Sequence, residues 1–203
     1  RSPEALRALL EEKDKNCREI IEQNENVRKN IGAVIQQLEV LDENCLNQIT
    51  LNYYHPKKLY LSRLTAKKGH MGTIYMLASH NQKVYDEHHF KERAVGWIID
   101  KDAFLEGKSG TALAYFSTVS MNYFDDKEHY YEAPAGLYIT LRFKGTFHSN
   151  KKELAKKIGD FMQRNNLVAV SNLFVQPLKN YWMCTTKKEY INQVTIQVEK
   201  IEE

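Results

Sequence analysis

Cysteine is scarce in this sequence. Its three copies, Cys17, Cys45 and Cys184, are odd in number and far apart. That excludes a disulfide framework and a zinc-binding pattern, and it fits a reducing cytoplasm, where thiols stay free. Long apolar runs are missing too. No stretch approaches the roughly 18 apolar residues that a membrane span needs, so no membrane is expected as a partner. The N-terminus reads as an amphipathic helix and not as a secretory signal. A large charge of either sign is absent. A net charge of +3 gives no case for strong nucleic-acid binding by this chain alone. The common enzyme signatures are missing as well: no G-x-S-x-G, no P-loop, no dinucleotide fingerprint and no H-E-x-x-H. Lys108-Ser109-Gly110 lacks the upstream glycines of a phosphate loop and reads as a turn. His88-His89 beside Asp86 and Glu87 is the nearest approach to a metal pair. Adjacent helical residues point about 100° apart, and no further His or Cys completes a site. No metal, no cofactor and no catalytic residue is expected, and the chain does not read as an enzyme.

Proline and glycine are nearly missing from the first stretch, where only Pro3 and Gly32 occur before residue 45. What is there is a heptad seam: Leu6, Leu10, Lys13, Cys17, Ile20, Asn24, Val27, Ile31, Val34, Leu38, Leu41 and Cys45. The steps alternate four and three without a break, the pattern of a left-handed coiled coil. Ser2 is suited to cap the helix and Pro3 to sit at its first position. At 1.5 Å per residue it would run roughly 60 Å, too long to lie on a compact domain. Asn24 lies near the midpoint of the seam. An Asn buried in a seam fixes register by facing its own counterpart, and two midpoints meet in an antiparallel pair. The expectation is a homodimer through an antiparallel coiled coil, with Leu10, Cys17, Ile20, Asn24, Val27, Ile31, Val34 and Leu38 in the interface. Residues 1–50 form this helix and 51–203 a separate globular domain.

The globule alternates strand and helix patterns. His55-Pro56 is a break, since proline cannot continue a helix, and places a hinge near residues 52–57. Strands are expected at 59–64, 94–99, 112–121, 137–143, 167–175 and 190–198, with an extended stretch at 178–184. Helices are expected at 73–90 and at 151–164, the second capped by Asn150. Leu59-Tyr60-Leu61-Ser62 echoes Leu137-Tyr138-Ile139-Thr140, and each is followed by a Lys/Gly turn, a His and a helix. The fold class is α+β: a long helix followed by a duplicated strand–helix–strand–strand unit, with a cleft where the two half-sheets meet.

Aromatic side chains are plentiful: 12 Tyr, 8 Phe and 2 Trp. Sheet packing accounts for most of them. Tyr outnumbers Phe, however, and a buried Tyr needs a partner for its hydroxyl. Tyrosines around a cleft make a pocket for planar ligands, held by stacking and, for a cation, by cation–π contacts of roughly 0.5–2 kcal/mol each. Tyr60, Trp97, Tyr138, Phe174, Trp182 and Tyr190 are the candidate lining residues, with Glu132 and Glu189 as candidate charge partners.

Ala133-Pro134-Ala135-Gly136-Leu137-Tyr138, followed by Phe143-Lys144-Gly145, resembles the P-x-G-x-Y motif of the GyrI-like effector-binding fold. The ending Glu189-Tyr190-Ile191 through Val194-Thr195-Ile196-Gln197-Val198 resembles that fold's closing strand. Taken with the long helix in front, the arrangement resembles the C-terminal part of MerR-type multidrug-sensing transcription regulators. The resemblance implies a small aromatic or lipophilic effector, with cations among the candidates, in a cytoplasmic regulator. It implies contact with DNA only through a winged helix-turn-helix region absent from this chain. Multidrug-binding members place a buried Glu on the strand after the second helix, and Val175 stands there here. Without that carboxylate a cationic drug lacks its counter-charge, unless Glu132 or Glu189 supplies it. Two other readings remain open: a small hydrolase on the same fold, and a coiled-coil module that binds another protein.

Overall fold

A computed structural model of the chain describes residues 2–39, 45–64, 69–88, 95–108, 112–119, 128–180 and 183–201. The chain divides into two compact units, Arg1–Val40 and Leu41–Glu203. The first is one helix, α1 (Pro3–Glu39). Ser2 Oγ accepts from the Ala5 N–H and closes its first turn. Gly32 does not interrupt it. Surface pairs one turn apart, Arg7–Glu11 at 2.9 Å and Arg18–Asp14 at 2.7 Å, line its flank. Each contributes only about 0.3–0.5 kcal/mol at such exposure. The expected seam is uncovered. Leu10 is 60 % exposed and Ile20 55 %, with Cys17, Asn24, Val27 and Ile31 exposed beside them. The side chains of Val34 and Leu38 lie outside the described residues, as does the continuation towards Cys45 through Leu41.

The second unit contains β1 (Ile49–Tyr54), β2 (Lys57–Arg63), α2 (Gly69–His88), β3 (Gly96–Ile99), α3 (Lys101–Leu105), β4 (Ala112–Thr118), β5 (Tyr130–Ala133), β6 (Gly136–Lys144), α4 (Phe147–Arg164), β7 (Leu167–Ala169), β8 (Leu173–Lys179) and β9 (Ile191–Lys200). The strands make one antiparallel sheet in the order β1-β6-β9-β8-β3-β4-β2-β5, with β7 on β9. The order is a palindrome about the β3–β8 pair. On one side stand β6, β9 and β8; on the other stand β2, β4 and β3. The expected duplication is therefore visible in the topology, each half giving first strand, last strand and middle strand outward-in.

The sheet must also curl. β1 and β2 lie towards opposite ends of the sheet order, yet only His55-Pro56 joins them. Three peptide units span at most roughly 11 Å, so the two ends approach one another. The link from β5 to β6 is equally short, through Pro134-Ala135, and imposes the same closure.

Alternation along the strands gives the curled sheet two faces. The helix face carries Ile139, Leu141, Phe143, Val194, Ile196, Leu173 and Val175, packed on Leu154, Ala155, Ile158 and Met162 of α4. Each such side chain contributes roughly 1.5–3 kcal/mol on full burial. The inner face carries Leu59, Leu61, Ile98, Ala114, Phe116 and Phe174. Gly96 sits at the junction, with Phe116 laid across it. A Cβ there would come within 2.3 Å of Phe116 Cε1 and 2.8 Å of the Val175 carbonyl oxygen, so only glycine fits.

Several boundaries differ from expectation. The hinge near 52–57 is instead β1, zipped along β6, followed by the tight link. Helix α4 begins at Phe147 and is capped by Thr146, whose Oγ1 accepts from the Ser149 N–H. Asn150 lies inside the helix, and its amide donates to the carbonyls of Lys144 and Thr146. The strand expected at 167–175 is broken at residues 170–172, where Ser171 Oγ accepts from the Gln197 N–H. The short helix α3, started by Asp100 accepting from the Ala103 N–H, was not expected.

Candidate functional site

The inner face of the curl encloses a cavity of about 210 Å³. Its apolar wall is Leu59, Phe116, Ala133, Tyr138 and Phe174, with Tyr54 at the end of β1. Its polar wall is His55, Lys57, Thr118, Arg142, Gln176, Gln193 and Thr195. A cavity of roughly 150 Å³ lined by apolar side chains holds a benzene ring, so this one has room for a one- or two-ring aromatic compound. Phe116 and Phe174 meet edge to face at 5.4 Å, and Tyr54 and Tyr138 tilt together at 5.5 Å. These pairs fix the ring walls before any ligand arrives.

Hydrogen bonds hold the polar groups in place. Tyr138 donates its hydroxyl to the Pro134 carbonyl at 2.7 Å. Burial, with the nearby Tyr131 phenolate adding to it, pushes the Tyr138 hydroxyl up to about 12, so it stays a neutral donor. The hydroxyls of Tyr54 and Thr140 are 3.2 Å apart. Arg142 Nε donates to Gln193 Oε1 at 3.1 Å, and Gln193 Nε2 donates to Thr195 Oγ1 at 3.3 Å. Lys57 Nζ stands 5.8 Å from the centre of the Tyr54 ring.

Of the residues singled out in the sequence, the structure brings Tyr138 and Phe174 together in this cavity. Tyr60 and Trp97 stand on the opposite face, because strand side chains alternate and both occupy helix-facing positions. Tyr60 is buried beside Val84 of α2 and Val119, and Trp97 is half-buried against the α4 core. Tyr190 lies before β9 and is half-buried, its carbonyl accepting from the Gly145 N–H. Trp182 lies outside the described residues. Glu132 is exposed on β5, in register with Lys58, one position from the cavity-lining Ala133. Glu189 lies on a single turn, Lys187–Glu189. Neither carboxylate lines the cavity. Val175, fully buried, points into the α4 core; the cavity-facing residues of β8 are Phe174 and Gln176.

Sequence reasoning missed Tyr54, His55, Lys57, Phe116, Arg142, Gln176, Gln193 and Thr195. The β1 residues carried a usable signal, since Ile49, Thr50, Tyr53 and Tyr54 are strand formers. Those on β6 and β9 were readable as the polar side of two strongly alternating strands.

A second hollow, of about 340 Å³, lies against α2 and is lined by Tyr60, Ser62, Arg63, Ser79, Lys83 and His129 among others. Beside it His80 is 1 % exposed and held at both ring nitrogens, Nδ1 at 2.9 Å from Ser62 Oγ and Nε2 at 3.0 Å from Ser117 Oγ. Burial lowers its pKa to about 4, so it is a neutral imidazole. Both serine hydroxyls of this Ser–His–Ser arrangement are themselves buried. Its evident work is to satisfy polar groups under a helix. Among the described residues there is also no cluster of metal-ligating side chains and no helix long and apolar enough to cross a membrane.

No protein-family model matches the sequence, and no curated protein matches it. Solved structures do share its fold. The EcmrR C-terminal domain is 13 % identical over 76 % of this chain and 98 % of that one, with a TM-score of 0.60. EcmrR in a complex with DNA is 14 % identical over 96 % of this chain and 72 % of that one, with a TM-score of 0.59. An uncharacterized conserved protein from Listeria innocua is 8 % identical over 76 % of this chain and 93 % of that one, with a TM-score of 0.51. The curled antiparallel sheet with its helices is thus an α+β fold shared with the EcmrR C-terminal domain, the fold class that the sequence implied.

Proposed function

We propose that this chain is the ligand-sensing and dimerisation region of a MerR-type transcription regulator. The observation that carries this reading is the ring-walled cavity inside the curled sheet, on the fold shared with the EcmrR C-terminal domain. A small aromatic effector enters the cavity and touches strands from both halves of the sheet, β2 and β4 on one side and β6, β8 and β9 on the other. Binding therefore biases how the halves sit against each other. The uncovered seam of α1 pairs with a second copy in an antiparallel coiled coil, and the dimer relays the bias to a DNA-binding region. Such coupling needs only about 1–3 kcal/mol. The site works by binding and not by chemistry.

Thermal denaturation with small aromatic compounds tests the sensing part. A ligand at 100 times its dissociation constant stabilises by about 2.7 kcal/mol, a shift of several degrees. That stabilisation should vanish when Thr195→Trp fills the cavity. Sedimentation tests the pairing. The chain should be a dimer, and Ile20→Asp with Val27→Asp should make it a monomer. In a background without the native cysteines, Leu10→Cys should crosslink to Leu38→Cys of the other copy; like-to-like crosslinks would mean a parallel coil.

A further inference from the structure

The charge of the cavity sets its ligand class. Two cationic side chains, Arg142 and Lys57, line it beside the imidazole of His55, and among the described lining residues there is no Asp or Glu. Arg142 is half-buried on the inner face of β6. Its Nε donates to the neutral amide oxygen of Gln193 at 3.1 Å, which sets the plane of the guanidinium. Lys57 stands beside the Tyr54 ring. Both carboxylates with which a cation was expected to pair, Glu132 and Glu189, lie elsewhere. A cationic ligand would therefore lose its hydration in a site whose described lining holds two positive groups and no carboxylate. An anion meets the opposite situation. Its carboxylate accepts from a planar, oriented guanidinium, with Thr118 and Thr195 hydroxyls on the same wall, while its ring packs between Phe174 and Tyr138.

We infer that the cavity selects aromatic anions, a carboxylate or sulfonate on a one- or two-ring body, with Arg142 as the anion's main partner and Lys57 as a second. This rests on the reading of the cavity as an effector site and fixes the sign of the effector's charge.

Three naphthalenes of nearly one shape test it by titration calorimetry on the full chain: 2-naphthoate, 2-naphthamide and 2-naphthamidinium. The anion should bind about 10- to 100-fold more tightly than the amide, the range of one or two charge-assisted hydrogen bonds, and the amidinium most weakly. Arg142→Gln should abolish most of the naphthoate preference, so that the variant binds naphthoate and naphthamide about equally, while an unfolding midpoint close to that of the parent chain shows that the variant is folded. Arg142→Lys should keep part of the preference. Amidinium binding as tight as naphthoate would overturn the inference and leave the aromatic cavity standing. A naphthoate preference that survives both Arg142→Gln and Lys57→Gln would overturn it too, since the charge would be read elsewhere. Binding of none of the three would remove the effector site itself, and the inference with it.

Discussion

The two halves of the sheet share one topology and differ in what they place under their helix. Under α4 the contact is apolar throughout, with Leu154, Ala155, Ile158 and Met162 on a carpet of Ile, Leu and Val. Under α2 it is centred on a buried imidazole between two serine hydroxyls, with an apolar patch of Tyr60, Val84 and Val119 beside it among the described residues. An apolar contact is insensitive to pH and is lost by cutting methyl groups. A buried neutral histidine is lost by protonation. The same fold thus contains one half held by volume and one half conditional on charge.

Four measurements sharpen or break that contrast, from the largest effect to the smallest. Ile158→Ala, at a fully buried position, should lower stability by about 2–5 kcal/mol in denaturant unfolding, at any pH. A loss under 1 kcal/mol would mean that α4 is not the anchor. Acid should unseat α2. His80 titrates near 4 in the fold and near 6.5 when unfolded, so the unfolded chain binds more protons between those values and stability rises with pH there. Stability from this group is complete above about pH 6.5 and lost progressively down to about pH 4, roughly 3 kcal/mol in all. His80→Gln should flatten that slope, and an unchanged slope would assign the acid sensitivity to other groups. At the junction, Gly96→Ala must displace Phe116 and should cost about 1–3 kcal/mol. It should also weaken any ligand of the cavity, because Phe116 is one of its walls; calorimetry reads both. Thr146→Ala removes the cap of α4 and should cost about 1 kcal/mol, with no effect on the pH slope.

How much of this was legible in the sequence follows from where the patterns are strong. β6 and β9 alternate cleanly because α4 covers one face and the cavity lies on the other, so both were legible to within a residue or two. The motifs carried the fold class, and the heptads carried the helix. The duplication was legible as an element order, but its letters misled. Leu59-Tyr60-Leu61-Ser62 and Leu137-Tyr138-Ile139-Thr140 match as text while their faces do not. Leu59 and Tyr138 look into the cavity, whereas Tyr60 and Ile139 look to the helices. A shift of one residue turns every side chain to the other face, and the text match was off by that one. The cavity itself was beyond local pattern. It exists because two-residue links, His55-Pro56 and Pro134-Ala135, join strands far apart in sheet order, and pairing between distant strands leaves no periodic trace. Arg142, Gln193 and Thr195 converge only after that closure.

The most direct test is an NMR titration of the labelled full chain with 2-naphthamide, whose neutral amide leaves the question of charge aside. Binding inside the curl should give saturable shifts at Phe116, Tyr138, Phe174 and Thr195, on both halves of the inner face, with His80 and the residues around it unmoved. Shifts gathered around Tyr60, Ser62 and His129 on the α2 side, or no saturable shift anywhere, would contradict it.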